Sequence, residues 1–179
     1  PSSTSFRADG KYLALMENAK KPNFRLMTTS DGKIEKDEAI EIPSTIYTSG
    51  KKHQFVLGKW DNDSELLLVR HVVDKTTEWL AVATNNPTKS VLIKPQSKAM
   101  PSEIVFDPRG NERLIIRYDD GSVRLMSISS GELSEPVITD AATITLGSNW
   151  SVVYTTRASN GMRSVGYLTL GANKPRVIA

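Results

Sequence analysis

Two stretches of this chain repeat each other, and that repetition limits the fold more than any other feature. Arg25-Leu26-Met27-Thr28-Thr29-Ser30-Asp31-Gly32-Lys33 lines up with Arg124-Leu125-Met126-Ser127-Ile128-Ser129-Ser130-Gly131-Glu132, 99 residues further on. Upstream of each copy lies a second match, Phe6-Arg7-Ala8-Asp9-Gly10-Lys11-Tyr12-Leu13-Ala14-Leu15 against Phe106-Asp107-Pro108-Arg109-Gly110-Asn111-Glu112-Arg113-Leu114-Ile115-Ile116. Weaker copies fall in the gaps, at Trp60-Asp61-Asn62-Asp63-Ser64-Glu65-Leu66-Leu67-Leu68-Val69 and at Leu146-Gly147-Ser148-Asn149-Trp150-Ser151-Val152-Val153-Tyr154. Taking Phe6, Trp60, Phe106 and Leu146 as equivalent points divides the chain into four units of unequal loop length on a common plan.

Within each unit the apolar residues come in compact or period-two runs, which predicts short strands joined by turns and no sizeable helix. In the third unit strands are expected at Glu103 to Phe106, Arg113 to Tyr118, Val123 to Ile128 and Pro136 to Ile138. Asp9-Gly10, Asp31-Gly32, Asp119-Asp120-Gly121-Ser122, Ser130-Gly131 and Asn160-Gly161 supply the turns. The fold class that follows is all-β: a β-propeller-like array of about four four-stranded antiparallel blades, in which each small sheet buries its faces against the next. The expected blades are 3–43, 53–95, 102–138 and 143–179, read together as one propeller or propeller fragment. The chain opens in an innermost strand near Ser3 to Phe6 and closes in an outermost one near Arg176 to Ile178. No strand from one end is evident to complete a blade begun at the other, so an arc of a larger protein, able to self-associate through open faces, is expected.

The Phe6 to Ala14 and Phe106 to Gly110 elements resemble the Ser-Pro-Asp-Gly turn and following strand of TolB-like and WD-type propeller blades. Ala8 stands where Pro is usual in one copy, and Arg109 where Asp is usual in the other. Trp60-Asp61 lies at a first turn rather than at the end of a third strand, which favours the TolB-like branch over WD repeats. The resemblance implies a periplasmic or extracellular setting, with membrane tethering in a longer protein.

Chemistry is harder to find. Lys plus Arg at 23 against Asp plus Glu at 20 leaves a net charge of +3, too small and too dispersed for nucleic acid. No Cys is present, so thiolate chemistry and disulfides are excluded. The longest apolar run, Leu66 to Val69, is far too short to cross a membrane, so direct insertion is not expected. Asp61-Asn62-Asp63-Ser64-Glu65 opens like a calcium loop but has Leu66 where Gly is needed and Val72 where Glu is needed, leaving a turn with solvated carboxylates. His53 and His71 have no metal-site spacing, and His71 is expected half-exposed on a strand. Ser30-Asp31-Gly32-Lys33 and Ser49-Gly50-Lys51-Lys52 match Ser-x-x-Lys only formally. Asp107 and Asp61 form the one plausible acid pair, with turn capping the expected work of both. Phe6, Trp60, Phe106 and Trp150 are expected in the core.

These readings predict no catalytic residue, no cofactor and no metal. The expected activity is non-enzymatic binding or scaffolding of a protein or a cell-surface polymer. Contact residues are expected in the longer loops: Tyr47, Lys51, Lys52 and His53 between the first two units, and Arg157, Asn160 and Arg163 in the last, with Trp79 as an exposed aromatic. The alternative is an accessory or catalytic propeller of a carbohydrate- or peptide-processing enzyme.

Overall fold

The structure is a computed structural model and describes residues 3–17, 23–30, 33–42, 53–61, 66–74, 76–85, 90–93, 98–109, 112–156, 163–171 and 176–178. Among these every regular element is a strand. They are β1 (Ser3–Phe6), β2 (Tyr12–Glu17), β3 (Asn23–Ser30), β4 (Lys33–Glu41), β5 (His53–Trp60), β6 (Leu66–Val73), β7 (Thr76–Ala83), β8 (Val91–Ile93), β9 (Pro101–Phe106), β10 (Arg113–Tyr118), β11 (Val123–Ser127), β12 (Ala141–Leu146), β13 (Ser151–Thr156), β14 (Val165–Thr169) and β15 (Arg176–Val177). They form four antiparallel meanders in chain order, β1 to β4, β5 to β8, β9 to β11 and β12 to β15. The chain divides into two compact units, Pro1–Lys94 and Pro95–Ala179, each holding two sheets.

The four equivalent points inferred from the repeat mark one backbone event. The amide after each of them closes the first hairpin of its sheet: Arg7 N on Tyr12 O at 3.0 Å, Asp61 N on Leu66 O at 3.0 Å, Asp107 N on Arg113 O at 2.9 Å and Gly147 N on Ser151 O at 2.9 Å. Loop length varies, but the hydrogen bond that ends the innermost strand does not.

In the first unit, strand alternation turns Ala14, Met16 and Phe24 of one sheet and Phe55, Leu57, Leu67, Val69, Leu80 and Val82 of the other into a shared, buried seam, with Ile42 and Trp60 at its margins. Burying each such side chain contributes about 1.5–3 kcal/mol, more than either small sheet could gather alone. The innermost strands are also stitched directly. The Ser5 hydroxyl donates to Gly58 O at 2.7 Å, and Leu57 N donates to the Ser3 hydroxyl at 2.9 Å. Gly58 is needed because a Cβ there would lie 2.9 Å from the Leu68 carbonyl oxygen.

The second unit repeats this plan. Ile115, Val123 and Ile138 of its first sheet share a core with Ile144, Val152, Tyr154, Leu168 and Leu170 of its second. Here the stitch is Glu103, whose carboxylate accepts from Ile144 N at 2.8 Å and pairs with Arg117 at 2.9 Å.

The third sheet departs from expectation. The segment expected as a strand at Pro136 to Ile138 is reduced to isolated bridges, Val123 with Ile138 and Met126 with Leu133. Pro136 has no N–H for a ladder, and the Ser134 hydroxyl takes the Leu125 amide at 3.0 Å that a regular strand would have bonded through its backbone. The segment still runs beside β11, since Ser134 N reaches Leu125 O and Val137 N reaches Val123 O, both at 2.8 Å.

Gly166 provides a direct test of packing in the second unit. A Cβ at this position would lie 2.3 Å from the Tyr154 ring, and Tyr154 is 4% exposed. Gly166→Ala is expected to destabilise the second unit by about 1–3 kcal/mol, read as a lower urea midpoint with unchanged slope. A change below about 0.5 kcal/mol would contradict this packing.

Candidate functional site

Two side-chain constellations stand out among the described residues, one in each unit. In the second unit, Asp107 follows β9 with its side chain fully enclosed. Its Oδ1 accepts from Arg109 N and from Arg109 Nε, both at 3.0 Å, and its Oδ2 accepts from Arg109 Nη2 and Arg113 Nη2, both at 2.8 Å. Arg109 then donates through Nη1 to Leu170 O at 3.1 Å, tying the first hairpin of one sheet to the last turn of its neighbour. Every strong acceptor direction of this carboxylate is taken by a guanidinium or an amide, so it caps a turn as expected and braces the unit.

The first unit solves the same turn with the charges exchanged. Arg7 occupies the place of Asp107, Asp9 that of Arg109, and Tyr12 that of Arg113. Arg7 pairs with Asp9 and lies over the Tyr12 ring, 4.2 Å from its centroid. Asp9 accepts from Lys11 N at 3.0 Å, and the Arg7 guanidinium holds its carboxyl down to about 2. An ion pair two residues apart is kept, while a cation on an aromatic ring replaces the second guanidinium.

The other constellation is built on β5, β6 and β7. Register places His71 opposite both Phe55 and Glu78, with His53 two residues before Phe55 on β5 and opposite Val73. His71 has no exposed surface, which corrects the expectation of a half-exposed residue. Alternation along β6 puts it on the seam face with Leu67 and Val69, and its ring stacks on Phe55 at 4.3 Å and 2°. His53 Nδ1 lies 2.8 Å from His71 Nε2, and the ring centres are 5.0 Å apart at 14°. Nearly parallel rings with that separation meet edge to edge, which is the geometry of an in-line N–H···N hydrogen bond. On the far side, His71 Nδ1 lies 3.3 Å from Glu78 Oε2, at ion-pair distance but not aligned as a hydrogen bond. A carboxylate on that side favours the proton on Nδ1, so Nε2 accepts and His53 Nδ1 donates. Burial depresses the His71 imidazole below the ordinary histidine value. Glu78 opposes that shift and His53 adds to it.

Of the other expected contact residues, Tyr47, Lys51, Lys52, Arg157 and Asn160 lie outside the described residues. Trp79 is half-buried on β7 opposite Arg70, on the face of the sheet away from His53. Arg163 is exposed just before β14. Asp61 is 6% exposed, so the solvated carboxylate expected there is instead an enclosed one.

Two aromatics also differ from expectation. Trp60 and Phe106 are buried, with the Trp60 indole donating to Ser5 O at 3.2 Å, but Phe6 is 66% exposed and Trp150 is 54% exposed. Trp150 lies past the end of β12 in a hairpin turn where Asn149 and Trp150 both adopt left-handed backbone, φ 54° and 56°. The turn is pinned by the Ser151 hydroxyl on Ser148 O at 2.6 Å and by Leu170 N on Trp150 O at 2.8 Å. Leu146 beside it is 42% exposed.

The histidine pair was legible in principle. Folding the chain about the turn expected at Asp61 to Glu65 lays residue 71 against residue 55 and brings residue 53 within reach. Trp150 carried no such signal: Asn149 is a residue type that adopts left-handed backbone readily, but nothing extends that geometry to the Trp after it.

No family model matches the chain, and no curated protein matches it. Solved structures do. The chain aligns over 99% of its length with 26% of a chain from a study of two prolyl endopeptidases, at 13% identity and a TM-score of 0.61. It aligns over 99% of its length with 26% of prolyl oligopeptidase B from Galerina marginata, at 12% identity and a TM-score of 0.59. TolB from Acinetobacter baumannii matches over 99% of this chain and 54% of its own, at 11% identity and a TM-score of 0.49. The chain thus spans about a quarter of the peptidase chains. At these identities the likeness is one of fold, and the fold is a propeller-like array of antiparallel blades.

The Asp107 brace yields a test. Asp107→Ala leaves two guanidiniums, each still partly in solvent, without their acceptor. It is expected to cost about 2–3 kcal/mol, below the full value for a buried pair because water reaches both arginines. Equilibrium urea unfolding that shows no loss would contradict the bracing role.

Proposed function

We propose that this chain is a non-enzymatic binding and scaffold module of a bacterial envelope or surface protein, with a protein or a cell-surface polymer as its partner. The observation that carries this reading is Trp150. A bulky aromatic with more than half its surface in water occupies a left-handed turn that costs about 1–2 kcal/mol more than glycine would. Neither burial nor backbone preference accounts for it, whereas contact with a ligand does. The turn sits on a unit braced by Asp107, Arg109 and Glu103, so the ring is presented rather than left to wander. Tyr47, Lys51, Lys52, Arg157, Asn160 and Arg163, with His53 on β5 and Trp79 on β7, belong to the same reading as additional contacts. The envelope setting rests on the resemblance of the blade turns to TolB-like repeats.

A second reading, an accessory propeller of a peptide-processing enzyme, draws on the shared fold with chains about four times as long.

Immobilised protein challenged with bacterial surface proteins and with purified cell-wall polysaccharide separates these readings. The binding reading expects retention of one class, weakened at least about tenfold in Trp150→Ala, the loss typical of an aromatic hot spot, with the far-UV spectrum unchanged. Equal retention by both forms, or retention of neither class, contradicts it. Retention of a proline-containing peptide in place of either class favours the second.

A further inference from the structure

We propose that the His53–His71 pair is an acid-operated latch on the apolar seam between the β1 to β4 and β5 to β8 sheets, holding one proton between its facing nitrogens and releasing the seam when both rings are charged. The geometry defines how many protons the closed form accepts. With the facing nitrogens 2.8 Å apart and in line, there is room for one hydrogen between them. The neutral pair satisfies this with His53 Nδ1–H donating to His71 Nε2. One added proton leaves that bond intact, since the pair still holds a single hydrogen between its facing nitrogens. A second puts an N–H on both of them, and the contact cannot survive.

Glu78 favours a charge on His71, while burial and His53 oppose it. His71 is fully buried and stacked on Phe55, itself fully buried. From β7 the facing ionisable group is Glu78, one-third exposed and 3.3 Å from the opposite nitrogen. From β5 it is His53. From the first sheet the shared core receives Ala14, Met16, Phe24 and Ile42, with Leu26 and the titratable Tyr12 packed against it. Arg70, the adjacent cation on β6, points to the other face with Trp79. Charging both rings therefore breaks the contact and drives His71 from its place on Phe55, which belongs to the shared core of both sheets.

The sign follows from linkage. His71 binds its proton less readily when closed than when open, so seam stability is full above the ordinary histidine pKa and falls as pH drops below it. With that ordinary value near 6.5 and one extra proton taken up on opening, the opening equilibrium rises by about 30-fold between pH 7.5 and pH 5.

Hydrogen exchange of the whole chain, corrected for intrinsic rates and read strand by strand, tests this. The latch expects amides of β2, β3, β5 and β6 to lose protection by about that factor over this range, while β10 and β13 serve as internal controls. His71→Phe, which keeps the stack on Phe55, is expected to hold protection flat. An equal acid response in His71→Phe, equal losses in β10 and β13, or no loss in the wild type would overturn the latch. Should His71→Phe not fold, imidazole nitrogen shifts of the wild type decide. The pair must carry no more than one added proton wherever the seam stays protected. Two charged imidazoles in a protected seam would overturn the proposal.

Discussion

The structure depends on a sheet that cannot stand alone. Three- and four-stranded meanders of this size have two faces to bury and too few residues to do it, so each takes its missing face from a neighbour. In both units the neighbour is engaged first at the innermost strand, and through side chains bonded to the other sheet's backbone. Ser3 and Ser5 reach Leu57 and Gly58 in one unit, and Glu103 reaches the Ile144 amide in the other. These bonds fix how the strands approach and leave the apolar residues behind them to form a single core. The invariant hairpin closure after Phe6, Trp60, Phe106 and Leu146 ends each innermost strand at the same point of that core.

This dependence also explains where the polar chemistry gathers. Charges that would otherwise lie loose at a turn are recruited to hold adjacent sheets, as Asp107 and Arg109 do through Leu170. The exchange of Asp107, Arg109 and Arg113 for Arg7, Asp9 and Tyr12 shows that the turn needs a complementary set rather than particular residues. His71 is the exception, since it puts an ionisable ring into a seam that an apolar side chain would fill with less risk.

Much of the fold could be read from the chain because its signals are local. Gly10, Gly121 and Gly131 occupy left-handed positions in turns that Asp-Gly, Asp-Gly-Ser and Ser-Gly announced, and period-two runs placed the strands. The strand expected at Pro136 to Ile138 is reduced to a bridge because Pro136, which in sequence marks a strand boundary, in space removes an amide from the ladder. Sites were less legible because they depend on register. Whether His71 faces a seam or solvent turns on a one-residue shift. Whether an aromatic beside an innermost strand is covered turns on its neighbours, which enclose Trp60 and leave Phe6 and Trp150 in water.

The claim that paired sheets share one core is tested most directly by native-state hydrogen exchange of the whole chain under increasing denaturant, comparing amides of β2 and β3 with those of β6 and β7. Sheets that lean on each other must open together, so the two sets are predicted to converge on one free energy of opening with one denaturant slope. Separate opening, with β6 and β7 still protected after β2 and β3 have exchanged, would contradict the shared core.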